Sequence, residues 1–222
     1  MSDPAVYPER ELQALVDRLR SLHEAAGRRV TVGIAGSPGS GKTTLASALT
    51  SLLGASAAHL PMDGFHLANA TLDRLGRRDR KGAIDTFDGW GFVALLERVR
   101  HETGNPIFAP SFERTVDEPV AGEIMIPPEA EIVVVEGNYL LVPEHPWLRG
   151  REAMDEAWFC STDERERERR LVERHIRSGR SLDAAIAWAR DVDGANARLI
   201  EPTRAYADLV VSGLTGDITH GL

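Results

Sequence analysis

Eight consecutive residues, Gly36, Ser37, Pro38, Gly39, Ser40, Gly41, Lys42 and Thr43, fit the pattern G-x-x-x-x-G-K-[ST], and Thr44 follows them. Glycines at this spacing let successive backbone N–H groups turn inward around phosphate oxygens. A lysine in the seventh position reaches the β- and γ-phosphates of a nucleotide, and the hydroxyl beside it can ligate Mg²⁺. A helix starting here would point its positive end at the same phosphates. A flexible surface turn is also rich in glycine. The apolar run before this loop and the helix-forming run after it favour the phosphate cradle, and with it a nucleotide and Mg²⁺ as ligands.

Two carboxylates stand where such a cradle needs them. Asp63 follows the short apolar run His59–Met62, and Glu136 follows Glu131–Val135. In an open α/β sheet, ligands gather at the C-terminal strand ends. One carboxylate there can orient or take a hydroxyl proton, while the other holds Mg²⁺ together with Thr43. Taken alone, each also fits an ordinary turn or loop acid. Arg170, Arg174 and Arg177 recur at i, i+4 and i+7, with Arg180 just beyond. That stripe can clamp transferring phosphate charge under a closing lid. It can equally serve i, i+4 pairs such as Glu166/Arg170 and Glu173/Arg177. His66 reads as a turn histidine or an acceptor contact, and Cys160 as a small buried hydrophobe. Arg74, Arg77, Arg78, Arg80 and Lys81 form a basic cluster that is either solvated or faces an anionic ligand.

The elements that must position these groups follow from periodicity. Leu12, Leu15, Val16, Leu19 and Leu22 predict a helix over 9–25. Further helices are expected over 43–53, 67–76, 89–103, 162–177 and 182–199, with a capping box from Ser161 to Glu164. Strands are expected over 29–35, 57–62, 131–135, 157–160 and 207–211, with a charged loop over 77–88. Prolines 106, 110, 119 and 127 mark 107–127 as a small projecting hairpin. Strands alternating with helices imply an α/β fold with a largely parallel sheet.

The 222 residues carry 26 Lys+Arg against 34 Asp+Glu, a net charge of −8. An acidic chain lacks the basic footprint of a general nucleic-acid or membrane-surface binder. With one cysteine, neither an internal disulfide nor a multi-cysteine metal site is possible. The first ten residues have no basic-then-apolar leader pattern, and no apolar run approaches the length of a bilayer span. A cytoplasmic location is the expectation.

From about Val30 to Val211, the ordered landmarks resemble the phosphoribulokinase/uridine kinase group of P-loop kinases, which includes bacterial-type pantothenate kinase. They are the loop 36–43, Pro61-Met62-Asp63-Gly64-Phe65, Arg80-Lys81-Gly82 with Asp85 to Asp88, Ala109 to Phe112, and Val133 to Gly137. Within the group the chain is also similar to kinases described as nucleoside/nucleotide or fructose-transport-system kinases. The resemblance implies a three-layer sandwich around a five-stranded, mainly parallel sheet. It implies one kinase domain over 1–222, with a helical lid near 163–195 and the hairpin on the acceptor side. It also implies ATP, Mg²⁺, a small-molecule hydroxyl acceptor and a homodimer. Asp63 becomes the catalytic base, with Lys42, Arg170 and Arg174 serving catalysis. Arg180 joins the loop through Thr44 at ATP, and Thr43 and Glu136 hold the metal. Asp63, His66, Asp88, Phe112, Glu113, Arg114 and Asn138 form the acceptor side. The run Phe112-Glu113-Arg114 departs from the group, which commonly has a tyrosine at the first position. A hydroxyl is lost and a charge pair gained beside the acceptor, so neither relative's substrate carries over.

Overall fold

The computed structural model describes Tyr7 and residues 9–219. The first six residues, read above for a leader, lie outside that set. Helix α1 (Glu9–Ala26) leads into strand β1 (Val30–Ala35), and helix α2 (Lys42–Leu53) into strand β2 (Ala57–Pro61). Helices α3 (Asn69–Leu75) and α4 (Gly89–His101) precede the antiparallel pair β3 (Ile107–Glu113) and β4 (Glu118–Ile126). Strand β5 (Ile132–Gly137), helix α5 (Trp147–Glu152) and strand β6 (Glu156–Ser161) follow. The last elements are α6 (Glu164–Arg177), α7 (Leu182–Trp188), α8 (Gly194–Ile200) and β7 (Leu209–Ser212).

Five strands form one parallel sheet in the order β2-β5-β1-β6-β7. Helices cover both faces, which is why β1 and β5 are apolar nearly throughout. Side chains alternate between two cores. Val30, Val32, Ile34, Ile132, Val134 and Trp158 face α1 and α2. Val133, Val135, Ala157 and Phe159 face α4, α5 and the hairpin. Full burial of each Val or Ile contributes roughly 1.5–3 kcal/mol. The leucines predicted to line α1 are buried at Leu12, Leu15 and Leu19.

Arg29, read as the first residue of β1, lies just before it and is buried. Its guanidinium donates to the carbonyls of Ala130, Val99, Glu102, Pro127 and Pro128. It thereby ties the entry of β1 to the end of α4 and the approach to β5. Those carbonyls would otherwise be poorly satisfied beneath the sheet edge.

Several boundaries differ from expectation. The cap of α6 is Asp163, whose carboxylate accepts from the Arg165 amide, and Ser161 ends β6 instead. The helix expected over 182–199 is interrupted by a π-helical turn at Ala189–Asp193. Helix α5 is too short to show a period in the sequence. The 77–88 loop contains two 3₁₀ turns, Arg78–Arg80 and Ile84–Thr86. Among the described residues, no helix is long and apolar enough to cross a membrane.

Candidate active site

Register brings the chemistry to one edge. Ile34 pairs with Glu136 across β1 and β5, and Pro61 pairs with Glu136 across β2 and β5. The loop after β1, the turn after β2 and the end of β5 therefore leave the sheet side by side. Residues 36–43, Asp63 and Glu136 share that edge although Asp63 and Glu136 are far apart in the chain.

In the glycine loop, Gly39 and Gly41 adopt φ of 79° and 99°. Such angles are strained for any residue with a Cβ. A Cβ on Gly41 would also sit 2.7 Å from the Gly213 carbonyl oxygen. Ser37 Oγ donates to Glu201 Oε1 at 2.5 Å, and Glu201 lies 3.5 Å from Arg167, so the back of the loop is braced against α6. Ser40 Oγ is buried with no hydrogen-bond partner among the described residues. Lys42 opens α2 with a buried ammonium, whose one hydrogen bond among the described residues is a long 3.4 Å contact to the Ser37 carbonyl. Burial pushes its pKa down, and the charges of Glu136 and Asp63 oppose that.

Thr43 Oγ1 donates to Glu136 Oε1 at 3.0 Å. Burial pushes the Glu136 carboxyl up to about 7, and the neighbouring Asp63 charge adds to the rise. Asp63 follows β2 in the 3₁₀ turn Met62–Phe65. That turn is pressed on the hairpin, since a Cβ on Gly64 would fall 2.1 Å from the Pro110 carbonyl oxygen. The hairpin returns Arg114 to within 3.9 Å of the Asp63 carboxylate.

A cavity of about 860 Å³ opens over this edge. Pro38, Lys42, Thr43, Asp63, His66, Phe112, Arg114, Glu136, Asn138, Arg174 and Arg180 all line it. A neighbouring space of about 460 Å³ runs along the loop and is lined by Gly39, Gly41, Thr44, Arg170 and Arg174, among others. Lys42, Thr43, Arg114 and Arg174 border both. Gly36, Ser37 and Ser40 stand behind these surfaces.

Two expected acceptor residues lie outside the lining. Asp88 is exposed and caps α4, its carboxylate accepting from the Gly91 amide at 2.8 Å. Glu113 turns to its own hairpin, accepting from the Thr115 amide at 2.7 Å. A local backbone donor holds each of them.

On α6, Arg170 pairs with Glu166 at 2.9 Å as expected, whereas Glu173 bonds Arg169 at 2.6 Å rather than Arg177. The π-helical turn buries Asp193, which bonds His175 Nε2 at 2.7 Å and lies 3.8 Å from Arg174. The Arg180 guanidinium stacks 3.9 Å over the Trp188 ring. Asp193, His175, Trp188 and Asn196 line the cavity, yet periodicity gave no reason to single them out. From the basic cluster, Arg78 and Lys81 reach the cavity wall and pair with Asp117, whereas Arg77 and Arg80 pair with Asp85. Cys160 is buried, with burial pushing its thiol up to about 11.

The family model for phosphoribulokinase / uridine kinase matches residues 31–219. The chain belongs to the phosphoribulokinase/uridine kinase family. Over 161 residues it is 37% identical to an ATP-dependent kinase-like protein of Aspergillus versicolor, covering 68% of this chain and 94% of that one. A crystal structure from Silicibacter sp. TM1040, provisionally described as a fructose transport system kinase, is 38% identical with a TM-score of 0.81. It covers 90% of this chain and 98% of its own. YFH7 from Saccharomyces cerevisiae has a TM-score of 0.78 at 20% identity, over 90% of this chain and 98% of that one, a likeness of fold alone. Membership of the phosphoribulokinase/uridine kinase family supports ATP-dependent kinase activity in general and the use of ATP with Mg²⁺.

Proposed function

We propose that this protein moves the γ-phosphoryl of Mg-ATP to a hydroxyl of a small metabolite, acting as a single kinase domain and, following the resemblance, as a cytoplasmic homodimer. The acceptor class is a nucleoside, a pantothenate-like molecule or a sugar or polyol. The observation that carries this reading is the convergence of Lys42, Thr43, Glu136 and Asp63 at one strand edge, beside Arg170 and Arg174 of α6.

The donor set fits the ligands. Partly unsatisfied groups, the Lys42 ammonium and Ser40 hydroxyl, sit at a loop whose glycines allow close approach of phosphate. Thr43 and Glu136 are already in contact, and a cation would offset the cost of ionising a buried carboxylate beside Asp63. Thr43 and Glu136 would hold Mg²⁺, which when bound neutralises charge on the β- and γ-phosphates. Lys42 and the lid arginines face the phosphates and stabilise charge that develops during transfer. Asp63 orients the acceptor hydroxyl and takes its proton. Positioning and electrostatics carry most of phosphoryl transfer, so these groups suffice.

The test is ADP release with Mg-ATP against a panel of nucleosides, pantothenate, sugars and polyols. Asp63→Asn is expected to lower turnover at least ~10²-fold, in the range for a positioned base, while ATP affinity stays within about twofold. Turnover retained in Asp63→Asn would overturn the base assignment. ATP bound tightly with no acceptor phosphorylated would favour a regulatory ATP-binding module instead. No Asn-Lys-x-Asp or Thr-Lys-x-Asp guanine-reading run occurs in the sequence, which counts against a GTPase.

A further inference from the structure

Four residues border both the space along the glycine loop and the larger cavity: Lys42, Thr43, Arg114 and Arg174. A phosphoryl group that leaves a nucleotide in the first space for a hydroxyl in the second has to cross their junction. Lys42 and Thr43 come from the start of α2 and Arg174 from α6, whereas Arg114 opens the hairpin turn 114–117. Local bonds fix that turn. Glu113 accepts from the Thr115 amide at 2.7 Å, Asp117 pairs with Arg78 at 3.0 Å and Lys81 at 3.1 Å, and Glu118 accepts from the Asn69 amide at 3.0 Å. The Arg114 side chain takes no part in this anchoring. It is 65% exposed, and its one ion pair among the described residues is the 3.9 Å approach to Asp63. That distance is too long for a hydrogen bond, so the guanidinium donors stay unspent there. The Arg114 charge still reaches the site, lowering the Glu136 carboxyl against the effect of burial and pushing the Arg174 guanidinium down.

We infer that Arg114 is a further catalytic residue, whose guanidinium binds the phosphoryl group in transit between the nucleotide and the acceptor hydroxyl. This rests on the kinase reading and adds to it a cation delivered by the hairpin. The flow of charge explains the placement. As the acceptor hydroxyl gives its proton to Asp63, the acceptor oxygen bonds to phosphorus. The bond from phosphorus to the β-phosphate oxygen breaks, and its electron pair leaves on ADP. Negative charge therefore moves off Asp63 and onto the phosphoryl and leaving oxygens. An arginine resting 3.9 Å from Asp63 loses that attraction as the new charge develops beside it. Its planar fork of N–H donors matches phosphoryl oxygens, and a donor aimed at developing charge lowers the barrier more than one aimed at the resting substrate. Lys42 and Arg174 approach the junction from two sides, and Arg114 supplies a third. A residue serving the acceptor alone has no reason to border the loop space. Glu113, its neighbour in the chain, lines neither space.

The experiment pairs ADP release, with the best acceptor of the panel above, with calorimetric binding of Mg-ADP in the presence and absence of aluminium fluoride. Aluminium fluoride beside ADP mimics a phosphoryl group in transit. Arg114→Ala is expected to lower kcat at least ~10²-fold, while the acceptor KM and the Mg-ADP affinity stay within about threefold. Aluminium fluoride should tighten ADP binding to the wild type at least about tenfold, and Arg114→Ala should lose most of that gain. Arg114→Lys, which keeps the charge without the fork, should fall between the two. In an Asp63→Asn background, Arg114→Ala should still slow the residual single-turnover rate at least about tenfold. A raised acceptor KM at unchanged kcat would make Arg114 an acceptor contact instead. No further loss in Asp63→Asn would show that it acts only through the base. Either result, or aluminium fluoride tightening that survives in Arg114→Ala, would overturn this assignment alone. If no hydroxyl compound raises ADP release by the wild type, the kinase reading itself fails, and this inference with it.

Discussion

Glu136 offers a direct test of the idea that the site holds a carboxylate at a cost to stability. In the metal-free protein its carboxyl is raised from 4.5 to about 7, chiefly by burial and then by Asp63. The folded state therefore binds a proton that the unfolded state has already released. Stability is fully present below about pH 4.5 and is lost as pH rises through 7. At about 1.4 kcal/mol per pKa unit the loss reaches about 3 kcal/mol. Because the Asp63 charge beside it contributes to the rise, about 1–3 kcal/mol is the expected range. Glu136→Gln keeps the shape and can still accept from Thr43 Oγ1, but it carries no charge. Urea unfolding in EDTA should find the variant and wild type alike near pH 4.5. By pH 8 the variant should be more stable by about 1–3 kcal/mol. Adding Mg-ADP should reverse the order, because ligand binding stabilises the state that can hold it. A stability difference that stays flat between pH 4.5 and 8 would show that Glu136 carries no such cost.

Two further predictions probe other parts of the argument. Lys42→Ala should lower kcat/KM at least ~10²-fold, the scale for removing one charge-stabilising donor, and an unchanged value in the ADP-release assay would contradict the loop assignment. Arg29→Met should destabilise the fold by about 3 kcal/mol or more, because several buried carbonyls lose their donor, and a shift below about 1 kcal/mol in urea unfolding would show that those bonds matter little.

Much of the fold was legible because it is written locally. The loop 36–43 carries its chemistry in adjacent residues. The leucines of α1 and the apolar runs of β1 and β5 announce their elements through period alone. Strands alternating with helices then leave few arrangements open, since crossovers between parallel strands share one hand. That Asp63 and Glu136 would end strands could be read the same way. Their meeting could not be, because it depends on β2 and β5 pairing with Pro61 opposite Glu136. Register is a relation between distant segments, and no local pattern encodes it.

The acceptor side shows the same division more sharply. Asp88, Glu113 and His66 are all polar residues near turns, and the sequence offers no way to rank them. The three-dimensional arrangement gives Asp88 to the Gly91 amide and Glu113 to the Thr115 amide, and leaves His66 lining the cavity. Arg174 reads as one of a stripe, yet the π-helical turn decides that Asp193 stands beside it and its neighbour His175. The sequence by itself determined which chemistry the chain can do, because the phosphate loop and the strand-end acids are short-range patterns. Only the tertiary structure decided which polar groups remain free to meet a substrate, because each hydrogen-bonding atom has few partners to give and distant segments compete for them.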